Sequence, residues 1–226
     1  MTAAAIIGLY VVAAYLAGSV PFGWLIGKAR GMDIREHGSK NIGATNCWRV
    51  CGWPYGLAAF VLDVAKGFVP GVLLVHWWPA FIPEPFGDCP YYWEENPHWL
   101  FVVPVAAAPI VGHVFPVWLR LKGGKAVATS LGVLLALPML RWLAVAAFGA
   151  WVVTVLITRY VSVASSVAAA AFGAAYLYVE RKKAWEDDYL AVTVFVLLLV
   201  AVVLVRHKSN YVRLWKGTEN KLWGKK

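Results

Sequence analysis

Seven runs of mostly apolar residues, roughly 3–27, 52–76, 98–119, 126–140, 142–158, 162–179 and 189–205, dominate this chain. A helix needs about 20 such residues to cross a hydrocarbon core of about 30 Å. Lipid admits only structures that satisfy their own backbone polar groups. The pattern therefore predicts an all-α, polytopic membrane protein with about seven transmembrane helices. Composition agrees: of 226 residues, 61% are hydrophobic and 15% charged, with mean hydropathy +0.63. That leaves too little polar side chain to cover a soluble domain. Only Pro138 to Arg141 separate the fourth and fifth runs, so two full spans, a kinked hairpin and a re-entrant pair all fit there.

The first run lacks the basic leader of a cleavable signal and continues into Lys28 and Arg30. It reads as a first spanning helix. With the N-terminus outside, sixteen Lys and Arg fall in the inner segments 28–49, 120–125, 159 and 206–226. Four fall outside, at Arg141, Arg181, Lys182 and Lys183, and Lys66 lies within a span. This asymmetry follows the positive-inside rule and puts the C-terminus in the cytosol. The net charge of +9 thus reports topology and phosphate chemistry, and no nucleic-acid fold signature accompanies it.

No linker or repeat divides the chain, so one domain over 1–226 is expected. Segment 77–97 carries Pro, Trp and Tyr without a basic residue and reads as an external loop with interfacial aromatics. Tyr211, Leu214, Trp215 and Leu222 recur among basic residues, a pattern suited to the headgroup region. Cys47, Cys51 and Cys89 have no metal-ligand spacing, and neither a metal nor a cofactor is expected.

Four polar stretches, 31–49, 120–130, 158–162 and 206–220, face one side of this topology. Lys, Arg, Gly, Ser and Asn gathered at a bilayer surface suggest a pocket for phosphorylated, partly lipidic substrates. In the first stretch, Gly38 and Gly43 permit close backbone approach. Ser39, Asn41, Thr45 and Asn46 supply hydroxyl and amide donors, and Arg49 offers a planar fork for phosphate oxygens. In the second, Lys122 and Lys125 flank Gly123 and Gly124, an anion nest without Walker A spacing. His113, seven residues before Arg120, either lines the pocket or braces it. Asp63 and Lys66, three apart on one helix face, form an internal ion pair or free Lys66 to reach a phosphate. Arg159 and Ser162 bound another inner loop. His207 and Asn210 share a face below the last run, and Glu219 is placed to hold the tail through a basic neighbour.

The runs GSVPFGWLIGK (18–28), GSKNIGATN (38–46), GHVFPVWLRLKGGKAVAT (112–129), RYVSVAS (159–165) and VRHKSNYVRLWKGTE (205–219) resemble, in order, the PlsY family of bacterial acyl-phosphate:glycerol-3-phosphate acyltransferases. The resemblance spans nearly the whole chain. Two positions depart from it: Lys40 and Ala126 stand where the family has glycine, both in segments expected to shape a phosphate loop.

The resemblance implies acyl transfer from acyl-phosphate to the 1-hydroxyl of glycerol 3-phosphate, yielding lysophosphatidic acid and inorganic phosphate. This is the first committed step of bacterial phospholipid synthesis. It also implies a seven-helix bundle in the cytoplasmic membrane with a cytosolic site, and a monomer is expected to suffice. An acyl-phosphate is already activated, so positioning and anion stabilisation matter more than a strong nucleophile. Ser39, Asn41, Arg49, Lys125 and Ser162 are the expected holders of the transferring phosphate and developing oxyanion. By resemblance, Lys122, Gly123, Gly124 and Lys125 form the glycerol 3-phosphate site. His207 and Asn210 match positions tied to activity, while Glu219 matches a structural one. The base is open between a substrate phosphate, His113 and His207.

Two rival classes fit less well. A transporter predicts inverted repeats and broken helices near the midplane, whereas here the polar residues gather at one surface. A lipid-phosphate phosphatase wants an Arg and His constellation on the outer face, which carries four basic residues.

Overall fold

The computed structural model describes residues 3–81 and 99–224. Most of the loop expected at 77–97, with Cys89, lies outside the described residues. The chain begins with α1 (Ala3–Ser19) and α2 (Phe22–Ala29), which together make one apolar span, Ala5–Ala29. Pro21, without an N–H, separates the two helices. The Val20 carbonyl at this break accepts a bond from Lys66 Nζ at 2.8 Å. A short α3 (Ala44–Cys51) precedes the long α4 (Trp53–Phe81). Then come α5 (Trp99–Val114), α6 (Val127–Ala136), α7 (Pro138–Thr158), α8 (Val161–Val179), α9 (Asp187–Arg206) and α10 (Lys208–Trp215).

Small residues let the central helices touch, as membrane interfaces require. A Cβ on Gly18 would lie 2.3 Å from the Pro109 backbone, and one on Gly112 would lie 2.3 Å from the Tyr15 carbonyl, so α1 and α5 meet backbone to backbone. Between α4 and α6, Gly67 abuts the Thr129 carbonyl and Gly132 abuts the Val64 carbonyl. The buried core runs through Val102, Val105, Val133, Leu137, Phe172, Tyr176, Val192 and Val196. Val153, Leu156, Ile157 and Leu198 face outward, as lipid-contacting positions do.

Among the described residues, six helices are long and apolar enough to span a membrane by length and composition. The fourth expected run, 126–140, yields only the ten-residue α6, about 15 Å long. Its shortness follows from the segment before it. The chain leaves α5, makes a 3-10 turn at Val117–Leu119 and folds back on itself. The amides of Gly123 and Gly124 donate to the carbonyls of Val114 (3.2 Å) and His113 (3.0 Å). As a result α6 starts level with His113 and Asp63. Asp63 lies ten residues into α4, about 15 Å from its Trp53 end. Leu137, preceding Pro138, is extended (φ −87°, ψ 113°) and separates α6 from α7.

Candidate active site

The loop after α2 is tied down by charge. Asp33 accepts from Arg35 Nε (2.9 Å) and Nη2 (2.7 Å) and pairs with Lys28 at 3.1 Å. Chiefly through Arg35, these partners hold its carboxyl well below the usual carboxylate range. Asn46, on α3, then organises the stretch 37–41. Its Oδ1 accepts the Ser39 amide at 2.8 Å, and its Nδ2 donates to the carbonyls of Ile34, His37 and Asn41. A Cβ on Gly38 (φ 60°) would sit 2.4 Å from that same Oδ1. Asn46 therefore braces the loop that presents Ser39 and Asn41, and its amide is spent in doing so. Asn41 Oδ1 accepts the Gly43 amide at 2.9 Å.

A cavity of about 170 Å³ opens beside this loop and extends between α4, α6, α7, α8 and α9. Its polar end is built by Ser39, Asn41, Thr45, Asn46, Arg49, Lys125, Ser162, His207, Asn210 and Glu219. Its apolar end is built by Phe60, Leu131, Leu134, Ala144, Phe148, Trp151, Ala169, Phe172, Leu199 and Val203. All seven residues expected to be catalytic therefore meet around one cavity. Thr45, Asn46 and His113 join them.

Lys66, Lys122, Gly123 and Gly124 do not line the cavity. Lys66 is buried in a 2.8 Å ion pair with Asp63, so the internal-pair alternative is the one seen. Lys122 is exposed. The two glycines lie beneath the cavity wall, where a Cβ on Gly123 would come 2.1 Å from the His113 carbonyl and one on Gly124 2.1 Å from His113 Nε2. These positions lack side chains because α5 occupies the space. They serve the site by delivering Lys125 into it.

His113 does both of the things left open for it. It lines the cavity, and its Nδ1 lies 3.2 Å from Thr129 Oγ1 and 3.7 Å from Asp63 Oδ1. Lys66, Asp63, His113 and Thr129 thus form a buried polar chain joining α4, α5 and α6 beneath the mouth.

The tail closes the polar end. Arg49 Nη2 donates to the Asn220 carbonyl at 2.7 Å, and the Leu222 amide to the Arg159 carbonyl at 2.8 Å. These bonds place the Glu219 carboxylate in the cavity wall. Its Oε1 accepts from Asn210 Nδ2 (2.6 Å) and Ser162 Oγ (3.3 Å), and its Oε2 from Arg213 Nε (2.7 Å). Glu219 holds the tail through a basic neighbour, Arg213, and also orients two cavity residues. Lys125 Nζ donates to Asn210 Oδ1.

Burial sets the protonation states. It pushes the Lys125 ammonium down to about 8, against the opposing field of Glu219. Burial likewise lowers the Arg49 guanidinium, which stays charged in any protein setting. His207 is pushed down to about 4, by burial first and then by the charge of Lys125. Its Nδ1 lies 2.7 Å from the Val203 carbonyl. A neutral ring must donate there, which leaves Nε2 as a weakly basic acceptor.

Arg206 stands outside the sequence-based site, yet it clamps the glycine loop. Its guanidinium donates to the carbonyls of Gly123 and Gly124 at 2.8–3.1 Å. The sequence shows Arg206 only as one of many inner-face cations, with no spacing that links it to residues 82 and 83 positions earlier.

The family model for glycerol-3-phosphate acyltransferase matches residues 8–217. A glycerol-3-phosphate acyltransferase of Thermosynechococcus vestitus is 41% identical, with 98% of each chain covered. Another, of Geotalea daltonii, is 39% identical over 93% of this chain and 94% of the relative. Among solved structures, PlsY (YgiH), an integral membrane glycerol 3-phosphate acyltransferase, superposes in its glycerol 3-phosphate form with a TM-score of 0.78. That match has 34% identity and covers 96% of each chain. Its lysophosphatidic acid form gives a TM-score of 0.74 at 34% identity, covering 95% and 94%.

Proposed function

This chain belongs to the glycerol-3-phosphate acyltransferase family of integral membrane enzymes of phospholipid synthesis, and from that premise we propose that its acyl donor is an acyl-phosphate. The reaction joins the donor's acyl group to the 1-hydroxyl of glycerol 3-phosphate and gives lysophosphatidic acid and inorganic phosphate. The single observation carrying this reading is the continuity of one cavity from a cationic mouth at Arg49 and Lys125 to an apolar chamber at Leu134 and Phe172. A phosphate bonded directly to a fatty acyl chain matches that junction of polar and apolar walls.

In this reading Lys125, Arg49, Ser39 and Ser162 hold phosphate oxygens, with Asn41, Thr45 and Asn210 as polar wall. Lys122 at the surface draws anionic substrate toward the mouth. A donor phosphate oxygen takes the hydroxyl proton. His207 is too weak a base at about 4, and His113 is held against Thr129 and Gly124. No cofactor is required. The basic segments 28–49, 120–125 and 206–224 converge at the polar end of the bundle. That supports a cytosolic site and C-terminus, an outer N-terminus and residence in the bacterial cytoplasmic membrane. In this reading the protein acts as a monomer.

The test is donor discrimination. Purified protein given glycerol 3-phosphate should form lysophosphatidic acid from palmitoyl-phosphate and not from palmitoyl thioesters of coenzyme A or acyl carrier protein. Equal use of the thioesters would overturn the donor assignment.

A further inference from the structure

Ser130 is a buried serine whose backbone amide bonds the Ala126 carbonyl while its hydroxyl does not find a partner among the described residues. It is 4% exposed. Core hydroxyls are normally paired, because an unmet donor or acceptor is costly away from water. Ser130 nonetheless faces the cavity, together with Val127, Ala128, Leu131 and Leu134 of the same helix. Side chains lean toward a helix's N-terminus, so the Ser130 hydroxyl overhangs the turn formed by Ala126 and Val127.

That turn is itself an unfilled donor site. The first amides of a helix have no carbonyl of their own to bond. The N-cap of α6, Ala126, supplies no side-chain cap. The positive end of the α6 dipole adds to their field. Position along the wall completes the argument. Lys125 precedes this turn at the polar mouth, and Leu131 and Leu134 follow it in the apolar chamber. A donor with its phosphate at Lys125 and its tail along Leu134 brings its carbonyl to the turn between them.

We propose that the first-turn amides of α6 and the hydroxyl of Ser130 form the oxyanion site of the acyl transfer proposed above, on which this assignment rests. The 1-hydroxyl oxygen of glycerol 3-phosphate attacks the carbonyl carbon, and the carbonyl π pair moves to its oxygen, where these donors receive it. When the oxyanion collapses, the bond from carbon to the phosphate-bearing oxygen breaks. Phosphate leaves with that electron pair and takes the hydroxyl proton, ending as hydrogen phosphate. Ser130 is then a catalytic residue of this chain.

The experiment measures kcat and KM for palmitoyl-phosphate in the wild type, Ser130→Ala, and the isosteric pair Ser130→Thr and Ser130→Val. Alongside it, infrared spectra record the carbonyl stretch of a bound palmitoyl phosphonate, which keeps the carbonyl and cannot transfer it. Ser130→Ala should lower kcat roughly tenfold, less than loss of a dominant oxyanion donor because the amides remain, with KM for both substrates little changed. Ser130→Thr should keep most activity, and Ser130→Val should fall with Ser130→Ala. The bound carbonyl should absorb at higher frequency in both hydroxyl-free variants. Wild-type kcat in Ser130→Ala, equal rates for Ser130→Thr and Ser130→Val, or an unchanged carbonyl frequency would each overturn the assignment. If the wild type itself forms no lysophosphatidic acid from palmitoyl-phosphate, the donor reading fails first. Normal wild-type turnover with an unaffected Ser130→Ala removes the oxyanion site alone.

Discussion

The guanidinium of Arg206 grips the carbonyl oxygen of Gly124 twice, through Nε at 3.1 Å and Nη2 at 2.8 Å. The same Nη2 reaches the Gly123 carbonyl at 2.9 Å. These bonds turn two carbonyl dipoles toward α9 and away from the mouth, where they would repel phosphate. They also fix the loop that carries Lys125. Charge-assisted bonds contribute about 1.5–3 kcal/mol each. Arg206→Ala is therefore expected to lower kcat/KM for glycerol 3-phosphate by roughly 10²-fold. Arg206→Lys, which keeps charge but loses the planar fork, should recover only part. Steady-state kinetics with the acceptor varied checks both, and near-wild-type values for Arg206→Ala would show that the loop holds its shape unaided.

Lys40 and Ala126 both adopt φ 60°, the left-handed region that disfavours side chains by roughly 1–2 kcal/mol. They are also the two positions where the family resemblance leads to an expectation of glycine. Lys40→Gly and Ala126→Gly should each stabilise the protein by about 0.5–1 kcal/mol, after the greater freedom of glycine in the unfolded chain is offset. Thermal unfolding in detergent reads this as a rise in Tm. A fall in both would contradict the assigned backbone.

Lys125 titrates near 8 rather than in the ordinary lysine range near 10.4. Its cationic form holds phosphate, so binding should be flat below that value. KM for acyl-phosphate should then climb toward tenfold per pH unit above it. Lys125→Arg should carry the flat region to higher pH at reduced kcat. His207, titrating near 4, stays neutral from pH 5 upward. Its replacement by Ala should leave the shape of the profile between pH 5 and 7 unchanged. A wild-type KM flat to pH 10 would contradict the Lys125 assignment.

Asp63 and Lys66 form a buried pair at 2.8 Å, and Lys66 also holds the Val20 carbonyl where α1 breaks. Removing one member of such a pair strands the other charge, typically at a cost of about 3–5 kcal/mol. Lys66→Met should therefore lower Tm more than the double change Asp63→Asn with Lys66→Met. A double-mutant cycle on Tm in detergent should give a coupling of about 0.5–3 kcal/mol. Simple additivity would mean that the two side chains act independently.

Apolar periodicity made the spans readable, because lipid enforces length and hydropathy on every crossing helix. It left 126–140 open, and there a loop folding back onto His113 and Val114 precedes only the ten-residue α6. Hydropathy carries no trace of such a fold-back. Ser39, Asn41, Arg49, Lys125, Ser162, His207 and Asn210 were readable as a group because phosphate chemistry uses few residue types and they cluster on the inner loops. Asn46 and Lys66 were readable as polar but not as bracing groups, since that depends on which carbonyls approach them in space. Arg206 and Ser130 had no local signal. One acts on glycines 82 and 83 positions away, and the other is distinguished only by the partner its hydroxyl lacks among the described residues.

The most direct measurement is the paired release of inorganic phosphate and lysophosphatidic acid by purified protein given palmitoyl-phosphate, with and without glycerol 3-phosphate. One cavity that joins phosphate mouth and acyl chamber predicts equal amounts of the two products, both dependent on the acceptor. Both should fall by roughly 10²-fold in Lys125→Ala. Phosphate released without acceptor, or unequal amounts in its presence, would contradict direct acyl transfer within that cavity.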